Sequence, residues 1–458
     1  MKKANVDLTQ GIIWKQLVTF TIPLLLSALL QQLYNTVDLL IVGRFSGEAD
    51  MAAIGATGPI INMIVALFIG LSTGVSVLVA QYYSSKRREE LSQTIETNYA
   101  IALYGGLGIT IFTFFLTPTF LKWMGTPQAI MEESVAYMRV IFLGIIPVMV
   151  YNMGSAVLRS VGDSVRPFNF LAVSAFLNIV LDLLFVAILQ KGALGAAIAT
   201  ALAQSISGVL VTHSLMKTTD IFRLNIRKIR FHKDILMRIF SIGLPAGIQS
   251  ALISFSNVII QTKINIFGAA AIAGVAASGR IDGFVFTALS AFSIAATTYS
   301  GQNIGAGKLN RLRHGLRTSL IMVSSFMLII SLIIVIFRVP LMAIFNKDPK
   351  VIEYGQRMLL ILGPGYILIS ISEVLGGFVR GSGKSLPIMV ISVIGMFIVR
   401  MIWIYSAMPV YNSIDVIYVS YPITWLVTFI LTVIYYVWGR WRPEELVRSE
   451  KIIEEGKK

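Results

Sequence analysis

Apolar stretches of about 20 residues or more recur along the chain with only short polar breaks between them, each long enough to cross a hydrocarbon core. Twelve can be marked. The first six run Trp14 to Val42, Ala52 to Tyr82, Gln93 to Leu116, Ile130 to Leu158, Phe168 to Leu189 and Ala193 to Met216. The second six run Leu236 to Ile266, Ile272 to Gln302, Leu312 to Phe337, Val351 to Val379, Leu386 to Met408 and Ile414 to Gly439. Most exceed the minimum length, which permits tilting. The pattern predicts an all-α membrane protein with twelve transmembrane helices. Composition agrees: 56% of the 458 residues are hydrophobic, 13% are charged and the mean hydropathy is +0.78, outside the range of soluble globular domains. The first stretch follows Lys2 and Lys3, but it is longer than the apolar region of a signal peptide and contains Pro23 and Asp38, so it is read as a retained helix.

The net charge of +15 would suit a nucleic-acid partner if the basic residues clustered on one soluble face. They alternate with the helices instead. The two termini and the breaks at 86–88, 159–166, 217–238, 308–317 and 380–384 hold 27 of the 38 Lys and Arg, against six on the opposite side. Arg139, Lys263, Arg280, Arg357 and Arg400 lie within spans. Positive loops remain cytoplasmic, so both termini are placed inside, as for a multi-pass protein of a bacterial cytoplasmic (inner) membrane, with lipids rather than nucleic acid as partner. There is no cysteine, and the three histidines flank polar loops, which leaves no thiolate metal site and no histidine-based catalytic centre.

The two halves repeat each other. Pro23 pairs with Pro245, Asn35 with Asn257, Gly58 with Gly279, Gln81 with Gln302, Pro127 with Pro349, Arg159 with Arg380 and Pro167 with Pro387, all 220 to 222 residues apart. Six crossings return the chain to its starting side, so two six-helix lobes related by a pseudo-twofold axis along the membrane normal are expected. The limits are an N-terminal lobe over 1–216, a basic connector over 217–235, a C-terminal lobe over 236–440 and a tail over 441–458. Pro23 and Pro245 interrupt the first helix of each copy and are the hinge candidates, because proline removes a backbone hydrogen bond and crowds the preceding turn. Gly70 and Gly74 are spaced for close helix approach.

Candidate chemistry lies in the first copy. Asp38 is in the first span, Asn178 and Asp182 are one turn apart on the fifth, and Thr200 is on the sixth. Asp182 and Thr200 are each nine residues from Lys191 at the hairpin, which puts them at similar depth. Three helices could thus bring oxygen atoms to one point. A carboxylate in hydrocarbon must find a partner, a cavity or a proton. Two acids together would share a proton or recruit a small oxygen-ligated cation, the chemistry of Na+ or H+ coupling. The competing reading is that Asp38 snorkels to the interface and Asp182 bonds a neighbouring helix.

Across all twelve spans the chain resembles the multidrug and toxic compound extrusion (MATE) family. The matching residues are Asp38, the Asn178 and Asp182 pair, Thr200, Gln81, the segment 159–167, Gln302 and the segment 380–387. The resemblance implies a monomeric, cation-coupled exporter of amphipathic, often cationic compounds, with two lobes around a central cleft, no cofactor, and Na+ or H+ as coupling ion. It implies that Asp38, Asn178, Asp182 and Thr200 form a cation site in the N-terminal lobe. Asn35, Asn152, Asn257 and Glu373 are expected to face the substrate cavity, with Glu373 attracting cations unless it pairs with Arg400 or Arg280. Met63, Met149, Met153 and Met396 could line that cavity. The second copy departs from the first: Ile260 replaces Asp38, and the counterpart of 178–182 falls in an apolar stretch near 398–403. A flippase for lipid-linked oligosaccharides is the alternative and would need several intramembrane basic residues on one cavity wall. An enzyme is excluded for want of a nucleophile, metal cluster or acid and base pair.

Overall fold

A computed structural model of the protein describes residues 6–439 and Trp441. The expected tail over 441–458 therefore lies, but for that tryptophan, outside the described residues. Among the described residues every regular element is helical. The spans are α1 (Ile13–Phe45), α2 (Ala49–Ser84), α3 (Arg88–Trp123), α4 (Gln128–Leu143 and Ile145–Ser160), α5 (Val165–Ile188), α6 (Gly192–Lys217), α7 (Lys233–Phe267), α8 (Ala269–Gly305), α9 (Leu309–Ile336), α10 (Pro349–Gly381), α11 (Ser385–Tyr411) and α12 (Ile414–Trp438). Helices are the natural solution because a bilayer offers no water to exposed backbone groups. Among the described residues the count is twelve with α4 taken as one span bent by 41°. Pro147 accounts for the bend, since it cannot donate to the carbonyl of Leu143 and its ring crowds that turn.

The chain forms two compact units whose borders fall beside the two prolines. Of the described residues, one unit holds Val6, Asp7 and Ile22–Leu244; the other holds Leu8–Thr21 and those from Pro245 onward. The opening turns of α1 thus belong to the second unit, and the opening turns of α7 to the first. This reciprocal exchange was not foreseen in the linear division of the sequence.

In the first unit the core joins α2, α3, α4 and α6 through Val75, Leu78, Ile95, Tyr99, Phe142 and Val211. Met149 and Met153 are 1% and 0% exposed within this core, so they pack rather than line a cavity, whereas Met63 is exposed. Gly74 does sit at a close helix approach. A Cβ there would strike the carbonyl of Ile239 and the backbone of Gly243 on α7.

The second unit packs α8, α10 and α12 around Tyr299, Val374, Phe378 and Trp425, all buried, together with Met396 at 5% exposure. It also seats the N-terminal segment. Arg311 donates to the carbonyls of Leu8 (3.0 Å), Gly11 (2.8 Å) and Gln10 (2.6 Å), and to Oε1 of Gln16 (2.5 Å). Lys308 Nζ donates to the Thr9 carbonyl at 2.8 Å, and Asn303 Nδ2 to the Leu8 carbonyl at 3.2 Å. The Leu8 side chain itself is fully buried. Outer faces carry large exposed apolar side chains such as Phe115, Phe176, Val209 and Ile344, as a lipid environment requires.

Candidate cation site in the first unit

Asp182 ends the regular part of α5, and the next six residues, Leu183–Ile188, form a π-helical stretch. Such widened turns recur at functional sites because they re-aim the side chains beside them. Asn178 lies one turn earlier on the same face, and both residues are 0% exposed. The hairpin into α6 is then fixed from α2. Gln190 and Gly192 have φ of +52° and +57°. Ala193 N donates to Asp50 Oδ1 at 2.9 Å. A Cβ on Gly192 would collide with the same carboxylate, so glycine is required there.

This turn sets the register that brings Thr200 to Asn178, whose Nδ2 donates to Thr200 Oγ1 at 3.5 Å. From α1 the phenol of Tyr34 donates to the same oxygen at 3.2 Å. Asp38, one turn further along α1 and half-buried, presents its carboxyl within hydrogen-bonding reach of Asp182. Tyr137 of α4, 8% exposed, is near enough to interact electrostatically with both acids. All four residues singled out in the sequence are thus in one cluster, and the structure adds Tyr34 and Tyr137.

The donor and acceptor count defines what the cluster can do. Asp38 Oδ1, both carboxylate oxygens of Asp182 and Asn178 Oδ1 are buried and accept no hydrogen bond. Buried acceptors are nearly always satisfied, so four together call for a cationic or protic guest. Two unit charges about 4 Å apart at an effective dielectric of 20 repel by about 4 kcal/mol, which one proton or monovalent cation would offset. The set is two carboxylates with amide and hydroxyl oxygens, the hard donors that suit a small cation. Among the described residues no group of three or more His, Cys, Asp or Glu is placed to hold a metal ion.

The other expected residues are dispersed. Asn35 is exposed on α1, one residue from Tyr34. Asn152 donates to the carbonyl of Val148 in its own helix at 2.9 Å. Asn257, exposed on α7, accepts from Arg400 NH1 at 3.3 Å. Glu373 pairs with neither Arg400 nor Arg280. Its Oε2 accepts from Arg380 NH2 at 3.0 Å and from Ser293 Oγ at 3.1 Å. The reason is helical spacing: Arg380 is two turns along the same helix, so it reaches back without crossing the bundle. The apolar stretch near 398–403 also needs correction, because it contains Arg400, only 3% exposed.

The MatE family model matches residues 23–184 and again 245–406. The chain belongs to the MatE family. The two matches have equal length and are offset by 222 residues at both ends, which establishes the duplication. The probable multidrug resistance protein YpnP of Bacillus subtilis is 28% identical over 443 residues, covering 96% of this chain and 98% of that protein. The probable multidrug resistance protein NorM of Thermotoga maritima is 25% identical over 392 residues, 84% of each chain. A structure described as the outward-facing conformation of a multidrug resistance MATE family transporter superposes with a TM-score of 0.89 at 21% identity, over 97% of this chain and 99% of that one. The relatives are transporters, and this MatE chain is a multi-span membrane transporter rather than an enzyme.

Proposed function

We propose that the protein is a cation-coupled antiporter of a bacterial cytoplasmic membrane, with both termini cytoplasmic, exporting amphipathic and often cationic compounds while Na+ or H+ enters. The observation that carries this reading is the fully buried Asp182, whose two oxygens accept no hydrogen bond while the Asp38 carboxyl stands within reach. Asn178 and Thr200 would complete the oxygen set. The names of the relatives, multidrug resistance proteins, support the substrate class.

Cation or proton uptake would remove the repulsion between α1 and α5 and so bias the lobes between two states of alternating access. Pro23 and Pro245 would be the hinges, a role supported by the unit borders beside both. The flippase alternative gains nothing from four of the five intramembrane basic residues, Arg280 being the fifth. Arg139 donates to the Phe114 carbonyl, Lys263 stands over the Tyr405 ring, Arg357 pairs with Asp415, and Arg400 is held by its own neighbours.

Efflux of an amphipathic cationic dye from proteoliposomes, with Na+ and pH gradients imposed separately, tests the proposal. One gradient should drive transport, and Asp182→Asn should abolish the driven component while the protein remains folded. Undiminished gradient-driven transport by that variant would refute the assignment.

A further inference from the structure

The two repeats invert their buried charge. At the offset of 222 residues, Asp38 corresponds to Ile260 and Asp182 to Ile404, which are 2% and 0% exposed. At the same offset Asn178 falls at Arg400, within two residues of where the nearer pairs, Arg159 with Arg380 and Pro167 with Pro387, would carry it. The neighbours correspond as well, since Tyr34 and Asn35 of α1 align with Ser256 and Asn257 of α7.

The Arg400 guanidinium occupies this second-repeat position. Its NH1 donates to Asn257 Oδ1 at 3.3 Å and Ser256 Oγ at 3.5 Å, and its NH2 donates to Thr424 Oγ1 of α12 at 3.3 Å. Its face lies 4.5 Å from the centre of the Tyr421 ring. As around Asp182, a π-helical stretch adjoins it, here Val393–Ile398 on the preceding turn. Every acceptor in this set is neutral. A group of opposite sign, Asp282 of α8, lies on the same aromatic cluster. Its Oδ1 accepts from the Tyr366 phenol at 2.8 Å. Tyr366 and Tyr421 both pack on Trp425, with ring centres 5.5 and 5.9 Å apart, so the two charges share one aromatic wall.

We propose that Arg400 is a resident cation. It stands, in the second repeat, at the place of Asn178, beside the isoleucines that replace the first repeat's two carboxylates, and with Asp282 as counter-charge it closes that lobe to exchangeable ions. The physical logic is that an intramembrane charge needs compensation, and a tethered guanidinium supplies it without taking up or releasing anything. Asp282 therefore stays ionised through the transport cycle. Coupling is confined to the first repeat, and Arg400 is a positioning residue that makes it so. The contrast between repeats rests on the reading of Asp38 and Asp182 as an exchangeable pair, but the pairing of Asp282 with Arg400 is tested separately.

The test is labelling of the full-length protein in membranes with dicyclohexylcarbodiimide, which adds to protonated carboxyl groups in apolar surroundings, followed by peptide mass spectrometry. In the wild type, Asp282 should remain unlabelled. In Arg400→Gln its carboxylate loses the counter-charge and must take a proton, so labelling of Asp282 should rise at least tenfold. Arg400→Lys keeps a cation and should keep Asp282 protected. Equal labelling of Asp282 in the wild type and in Arg400→Gln would overturn the proposal. So would clear labelling of Asp282 in the wild type, a result that needs no variant to fold. Labelling that appears at Asp282 in Arg400→Gln while Asp38 and Asp182 never react would support this inference and count against the proposed function.

Discussion

Tyr34 on α1 donates its phenol proton to Thr200 on α6 across 3.2 Å, joining residues 166 positions apart in the chain. Asn178 donates to the same hydroxyl oxygen, so the Thr200 side chain is held from two helices. The bond positions an oxygen of the proposed cation site without belonging to a charged group. Tyr34→Phe removes about 1 kcal/mol of that support. The apparent affinity for the driving cation in proteoliposome efflux should fall about fivefold, with the maximal rate largely kept. An unchanged cation dependence would place Thr200 outside the site.

Asp182→Asn trades function for stability. In the wild type two acids face each other with four buried acceptors lacking donors. The amide removes the repulsion and adds two N–H donors. Purified Asp182→Asn should melt at a higher temperature than the wild type in strongly alkaline buffer, where the two carboxylates of the wild type repel most. The gap should close as the pH falls, because protonation relieves the wild type of the same repulsion. A gap that is constant with pH would mean the two carboxylates do not interact.

Asp50 acts at a distance from the chemistry. It caps the first turn of α6, and replacing it by alanine should cost about 1 kcal/mol of stability in thermal unfolding. Transport at low temperature should persist, since Thr200 keeps both partners.

Glu373 separates two roles. Its carboxylate is engaged by Arg380 and Ser293. Glu373→Gln should therefore destabilise the protein by about 1–3 kcal/mol. It should also reduce efflux of cationic and neutral substrates in the same proportion. A selective loss of cationic substrates would instead show that Glu373 meets the substrate directly.

The helices, their number and the repeat were legible in the sequence because twenty-residue apolar runs and equally spaced prolines and glycines are local, one-dimensional signals. The cluster of Asp38, Asn178, Asp182 and Thr200 was legible too, since helical spacing and hairpin arithmetic fix their depth. Tyr34 and Tyr137 were missed because a tyrosine within a span reads as one more apolar residue until its hydroxyl is placed. Asp282 was passed over beside the more conspicuous Arg280. Arg400 was counted among the intramembrane basic residues, yet its stretch was read as apolar because five aliphatic or aromatic neighbours outweigh one guanidinium. The π-helical stretches beside Asp182 and Arg400 leave no hydropathy signature, because one extra residue per turn shifts orientation without changing composition. Nor could spacing show that the opening turns of α1 belong to the second unit.

That last feature sets an order of events during synthesis. Leu8, Thr9, Gln10 and Gly11 are bonded by Asn303, Lys308 and Arg311, residues that leave the ribosome some 300 positions later. At elongation rates of about 5–20 residues per second, the interval is roughly 15–60 s. For that time the segment just ahead of the first helix has emerged without its lasting seat, so its backbone carbonyls depend on water, lipid headgroups or an insertion factor. Residues 8–11 are therefore a part of the chain that biogenesis must protect for long.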